Sequence, residues 1–214
     1  MMKSMFYLLL ALTAVLAATA SDFKPDPILD TDGNTVVGGH SYYLIPAVPG
    51  KGGGLGLAGR GDKKCPLDIV QESSEENNGI PVRFSDWWSN IGYVPQTEIL
   101  RVEMDVGDTA CCRQTYWKYD SDFDKERKQL FVIAAPKDRS SSSTYHLKKS
   151  GDGYKFVWCP SIDCAGKLCS EECDVLGIFV DEKGVRRLVA SSEPHLVKFK
   201  KADGGPDYLS KSTI

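Results

Sequence analysis

The sequence predicts an all-β chain, closed into a barrel or packed as a sandwich. Three observations predict it. Short apolar or alternating segments recur after residue 20, and helical periodicity is scarce. Explicit turn signals separate these segments: Asp32-Gly33-Asn34, Asn78-Gly79, Gly151-Asp152-Gly153 and Glu182-Lys183-Gly184. Hydrophobic residues make up 42% of the 214 and aromatics 10%, enough for a real core in what is most naturally one domain.

The elements run in order as follows. Residues 1–20 read as a signal peptide: Met1-Met2-Lys3 is a short basic start, 6–18 is apolar, and Ala18-Thr19-Ala20 has the small-x-small form of a cleavage site. The mature domain is expected over residues 21–214, in a secreted (extracellular or apoplastic) or vacuolar protein. Strands are expected at 42–48, 67–71, 81–84, 99–104, 130–134, 145–148, 154–158, 176–180, 187–190 and 196–199. The period of two is plain in 99–104, where Leu100, Val102 and Met104 should face a core while Arg101 and Glu103 face water. Residues 50–61 read as a glycine-rich loop and 140–144 as a low-complexity loop.

Charge excludes some functions. With 26 Lys+Arg against 29 Asp+Glu the net charge is −3, without the clustered positive charge that tracks nucleic-acid phosphates. The longest apolar run is too short to span a membrane. The expected partner is therefore neither nucleic acid nor membrane.

Cysteines stand at 65, 111, 112, 159, 164, 169 and 173. The last four do not form two CxxC pairs, and an oxidising compartment favours disulfides over zinc. One of the adjacent Cys111 and Cys112 should pair with Cys65, closing a loop of about 46 residues at a gain of about 4 kcal/mol. An odd count leaves one thiol over.

Some motifs mislead. Gly54-Leu55-Gly56-Leu57-Ala58-Gly59 matches GxGxxG, but it opens no helix and runs into Arg60-Gly61-Asp62, so it reads as a flexible hairpin loop. Arg60-Gly61-Asp62 spells an adhesion tripeptide that arises often by chance. His40, His146 and His195 are scattered, and none lies near a Ser or Cys in a nucleophile motif. No metal set or cofactor motif is visible, and an enzyme is not expected.

One stretch is specific. Ile28-Leu29-Asp30-Thr31-Asp32-Gly33-Asn34-Thr35-Val36, five further residues, and Tyr42-Tyr43-Leu44-Ile45-Pro46-Ala47 resemble the opening signature of the plant soybean-type Kunitz inhibitor family. Cys65-Pro66-Leu67-Asp68-Ile69-Val70-Gln71, Thr115-Tyr116-Trp117, Trp158-Cys159-Pro160 and Gly177-Ile178-Phe179 continue the likeness over residues 26–202, and the C-terminal cysteine cluster is similar to that of miraculin-like members. The resemblance implies a disulfide-stapled β-trefoil: twelve strands in three pseudo-repeats, six in a barrel and six capping it. It also implies the pairs Cys65–Cys111, Cys159–Cys173 and Cys164–Cys169, with Cys112 spare.

The resemblance further implies inhibition of a serine endopeptidase by a substrate-like exposed loop between the fourth and fifth strands, in a monomer without cofactor. That loop should span about 85–94, with Trp87, Trp88, Ser89, Asn90 and Ile91 as its binding residues. Alignment puts the anchor near Ser89, with Trp88 as the alternative. Trypsin needs Arg or Lys, and residues 84–95 hold neither, so a chymotrypsin-like target is favoured and strong trypsin inhibition is not expected. The family often carries an Asn after the opening turn that hydrogen-bonds the loop. The matching position here is Gly38, which implies a looser loop. The alternative reading is a non-inhibitory miraculin-like storage, defence or small-ligand-binding trefoil. Adjacent strand residues point opposite ways, so at most one of Trp87 and Trp88 is easily buried.

Overall fold

The structure, a computed structural model, describes residues 24–89, 91–159 and 173–202. The expected signal peptide, Asn90 and the expected Cys164–Cys169 bridge lie outside the described residues. Among them twelve strands run in chain order: β1 (Tyr42–Pro46), β2 (Leu55–Arg60), β3 (Lys63–Gln71), β4 (Val82–Ser85), β5 (Ile99–Met104), β6 (Tyr116–Tyr119), β7 (Val132–Ala135), β8 (Tyr145–Ser150), β9 (Gly153–Trp158), β10 (Asp174–Val180), β11 (Arg186–Ser191) and β12 (Val197–Lys201).

Their pairings define the architecture. Six strands close on themselves, β1 to β4, β5, β8, β9, β12 and back to β1, every contact antiparallel. The other six form the hairpins β2–β3, β6–β7 and β10–β11. Each run of four consecutive strands therefore repeats one plan, with first and fourth in the barrel and the middle two in a hairpin. The hairpins meet through β3, which pairs with both β7 and β11. This is a β-trefoil. Closing the ring removes the barrel's free edges.

The core is where the alternation predicts it. Leu44, Val82, Leu100, Val102, Leu147 and Phe199 are wholly buried in the barrel strands. Two aromatic groups fill it: Trp117 packs on Phe156 at 5.1 Å and Tyr145 at 6.1 Å, and Phe199 packs on Tyr154 at 5.4 Å and Phe84 at 5.6 Å between centroids. Such pairs add about 0.5–1.5 kcal/mol each beyond their buried area.

Three expectations change. The glycine-rich stretch is not a flexible loop: it contains β2, which lies against the segment after β3. A Cβ at Gly54 would strike the backbone of Asn78, and one at Gly79 (φ +74°) the backbone of Leu55. Glycine serves there to let two backbones touch, not to loosen one. β6 escapes the period-two pattern because three of its four residues are buried. Arg101 does not face water: it is 8% exposed and hydrogen-bonded to Ser143.

The opening signature has a clear job. The Asp30 carboxylate accepts the N–H of Asp32 at 3.0 Å and of Asn34 at 2.8 Å, fixing the turn at Gly33 (φ +81°). The chain then pairs Val37 with Tyr93, and Val36 and Val94 are joined by a backbone hydrogen bond of 2.7 Å. Disulfides join Cys65 to Cys111 and Cys159 to Cys173, and Cys112 is a half-buried free thiol.

Candidate functional site

The site is the connection between β4 and β5, residues 86–98. Both its ends are set in a backbone conformation that L-residues rarely adopt: Asp86 has φ +70° and Thr97 φ +67°. Such positions cost of order 1 kcal/mol or more each and persist where surrounding contacts impose them.

Those contacts are explicit. The Asp86 carboxylate meets Arg101 Nε at 3.1 Å and Lys137 Nζ at 2.8 Å. The hydrogen bond to Asp86 is the largest influence on Lys137 and raises its pKa. Arg101 in turn donates to the Ser143 carbonyl at 3.2 Å and to its hydroxyl, so the serine tract at 140–144, a 3-10 turn at Ser141–Ser143, becomes a support. Ser143 Oγ continues the chain to Asp138 at 2.7 Å, and Asp138 pairs with Lys118 at 2.5 Å. Burial would raise the Asp138 pKa, but Lys118, Ser143 and the Ser140 N–H together hold its carboxyl below the usual carboxylate range.

The middle of the loop is held from inside. Trp87 lies half-buried against the core, and its indole N–H donates to the Ile91 carbonyl at 3.1 Å. The Ser89 N–H donates to the buried Glu98 carboxylate at 3.0 Å, and the Ile91 N–H donates to the Ser89 carbonyl at 2.9 Å. The far limb rests on the opening segment: the Tyr93 hydroxyl donates to the Pro25 carbonyl at 2.8 Å and the Gln96 side chain to the Pro27 carbonyl at 3.1 Å.

One large side chain is left outside. Trp88 is 81% exposed. Ser89 Oγ is buried and, among the described residues, has no partner, so its hydroxyl is turned away from solvent. Trp87 and Trp88 thus part beyond the end of β4, one inward and one outward. Gly38 does not leave the loop unsupported. The Trp87 ring occupies the space beside it, and a Cβ at Gly38 would lie 2.5 Å from Trp87 Cη2.

The residues that sequence reasoning missed are Asp86, Glu98, Arg101 and Lys137. Nothing in the local pattern marks them. Arg101 is a polar residue that a two-period reading sends to solvent, Glu98 lies just before the strand that carries the pattern, and Lys137 reaches the loop from the connection between β7 and β8. Other motifs are accounted for. Arg60 of the adhesion-like tripeptide is bound to Asp68 at 2.7 Å and Asp120 at 2.9 Å and lies 4.1 Å over the Phe131 ring, so the tripeptide is not displayed as an extended ligand. Arg83 lies in β4, with Asp105 at 3.2 Å, and is no part of the loop. No metal-ligating cluster occurs among the described residues.

Comparison with known proteins agrees with this fold. The model of the legume Kunitz family, described as "Trypsin and protease inhibitor", matches residues 28–201. The chain belongs to the plant soybean-type Kunitz family. A relative, Kunitz trypsin inhibitor 4 of Arabidopsis thaliana, is 50% identical over 208 residues, covering 94% of this chain and 93% of the relative. Miraculin of Synsepalum dulcificum is 31% identical over 221 residues, covering 94% and 96%. Soybean trypsin inhibitor in its complex with porcine pancreatic trypsin superposes with a TM-score of 0.66 at 26% identity, covering 83% of this chain and all of that one. The Kunitz family is made of protease inhibitors and related binding proteins, not enzymes. Within this Kunitz chain, the loop of 86–98 lies between the fourth and fifth strands, and its outermost large side chain is an indole, not a guanidinium or an ammonium.

Proposed function

We propose that the protein is a secreted or vacuolar monomer that inhibits a serine endopeptidase, with Trp88 as the side chain entering the specificity pocket. One observation carries this reading: an indole 81% exposed on a loop held at its start by Asp86 and from within by Trp87 and Glu98. Leaving an aromatic side chain in water forgoes about 1.5–3 kcal/mol of burial, which docking recovers. A deep apolar pocket of the chymotrypsin type fits an indole, and a trypsin pocket does not, because no basic group is offered.

The mechanism follows from stiffness. The protease serine attacks the Trp88 carbonyl carbon, the bond to Ser89 N breaks, and that nitrogen takes the proton. In a flexible peptide the amine departs and the acyl-enzyme is hydrolysed. Here the Ser89 nitrogen is held by Glu98 and the backbone beyond it by Trp87 and Ser89, so the amine stays beside the acyl carbon and re-forms the bond.

A second reading, a non-inhibitory trefoil that stores nitrogen or binds a small ligand, is favoured by a different observation: residues 86–98 contain neither Arg nor Lys. Titration of the refolded protein against chymotrypsin, trypsin, elastase and a papain-type protease separates them. Stoichiometric inhibition of chymotrypsin with trypsin spared supports the first reading. Activity of all four proteases left untouched by folded protein sinks it and leaves the second.

A further inference from the structure

We propose that Gly38 and Trp87 form a spacer pair that fixes the shape of the β4–β5 loop, so that part of the brace of the inhibitory loop is supplied by a side chain of the loop itself. The inference rests on the reading of 86–98 as the protease-binding loop. It assigns Trp87 and Gly38 as positioning residues that do not themselves touch the protease.

Three observations meet at this pair. The indole of Trp87 fills the volume beside Gly38, where a Cβ would lie 2.5 Å from Cη2 and 3.1 Å from Cζ2. The ring's N–H reaches across the loop to the carbonyl of Ile91, so one side chain spans the residues on either side of Trp88 and Ser89. The strip that carries Gly38 is itself fixed to the loop's far limb, through the Val37–Tyr93 pairing and the hydrogen bond of Val94 N–H to the Val36 carbonyl. A stiff planar group is therefore wedged between the opening segment and the loop backbone. The backbone at residue 38 is not in the left-handed region, so the absence of a Cβ, not conformational freedom, is what the site uses.

The pair has a consequence that neither residue has alone. A methyl at residue 38 should expel the indole, but only if the indole is there. Gly38→Ala and Trp87→Ala should thus loosen the loop to the same degree singly, and the double variant should be no worse than Trp87→Ala. Trp87→Phe keeps the wedge and loses the hydrogen bond, and should fall between. A loosened loop docks with an entropy cost and departs after cleavage, so inhibition should weaken about 100-fold while cleavage within 86–98 by excess chymotrypsin should speed up about tenfold or more.

The experiment measures both quantities for the wild type, Trp87→Ala, Trp87→Phe, Gly38→Ala and the Trp87→Ala/Gly38→Ala double variant, each first shown to be folded by its circular dichroism and melting transition. Hydrogen exchange of the Trp87 indole N–H gives a readout independent of any protease. The expected result is faster loop cleavage in every variant, non-additivity in the double, and a protected Trp87 indole proton in the wild type and a rapidly exchanging one in Gly38→Ala. Equal cleavage rates across the set, or strictly additive effects of the two alanines, overturn the spacer pair even if the wild type inhibits well. A wild type that inhibits nothing, while Trp87→Ala and Gly38→Ala still accelerate cleavage without adding, overturns the inhibitory reading and leaves the spacer pair standing.

Discussion

The carboxylate of Glu98, only 5% exposed, accepts the backbone N–H of Ser89 at 3.0 Å. That nitrogen belongs to the peptide bond following Trp88, the bond offered to a protease under the reading above. Glu98 sits one residue before β5, on the barrel side of the loop. The barrel thereby holds the very nitrogen that cleavage would release.

Glu98→Ala should leave the Ser89 N–H without its acceptor and cost about 1–3 kcal/mol of stability. It should also slow religation, so that the cleaved form accumulates on long incubation with the target protease. Glu98→Gln keeps an oxygen acceptor of the same reach and should cost less than half as much. Chemical denaturation, together with chromatography of intact and cleaved protein, checks both.

Trp88 contributes little to the fold, because nothing covers it. Trp88→Ala should leave the melting temperature within a degree or two while weakening chymotrypsin inhibition about 30-fold or more, the effect of losing a central anchor. Trp88→Lys should move activity toward trypsin, since the bracing contacts of Asp86, Trp87 and Glu98 do not involve the Trp88 side chain. Inhibition constants against both proteases decide it.

A buried charge network lies beneath the hairpins, remote from the loop. Asp68, fully buried, stands between Arg60 at 2.7 Å and Arg187 at 2.6 Å, and Arg187 also meets Asp181 at 2.8 Å. Removing the central carboxylate leaves two guanidinium groups facing each other, one of them buried. Asp68→Ala should cost about 3–5 kcal/mol in urea unfolding without changing inhibition by whatever protein remains folded.

His195 sets one limb of the pH dependence. Burial first, and the nearby positive charge of Arg186 second, lower its pKa from 6.5 to about 4. It lines a cavity of about 230 Å³ shared with Lys51, Arg186 and Glu193. Because the folded value lies below the unfolded one, the unfolded chain binds the proton more readily between pH 6.5 and 4. Stability should therefore fall as pH drops through that window, by up to about 3 kcal/mol, and this contribution should level off below it. His195→Gln should flatten that part of the curve, and melting temperatures at half-unit pH steps would show it.

Much of the fold is legible in the sequence, for physical reasons that can be named. Ten segments are short and apolar or alternating because at least one face of each strand meets the barrel core or the hairpin cap, and the Asp-Gly-Asn turn after Asp30 is written in residues that only that geometry favours. β2 was hidden because close approach of two backbones and flexibility use the same residue: Gly54 reads as slack and serves as contact. That at most one of Trp87 and Trp88 is buried was legible, but which one turns inward depends on Gly38, almost fifty positions away in the chain. The absence of a side chain at residue 38 suggested a loose loop, whereas the structure fills that space with an indole. Asp86, Glu98 and Lys137 were illegible because a charged residue carries no local mark of the long-range partner that will bury or bind it.

The bond that chymotrypsin opens tests the inhibitory loop most directly. The folded protein is mixed with an equimolar amount of the enzyme, the mixture is quenched in acid at intervals, and the fragments are weighed by mass spectrometry. The expected result is a single cleavage, between Trp88 and Ser89, that stops short of completion while the enzyme stays inhibited. Cleavage at another bond, or rapid and complete digestion of the loop with the enzyme fully active, would contradict it.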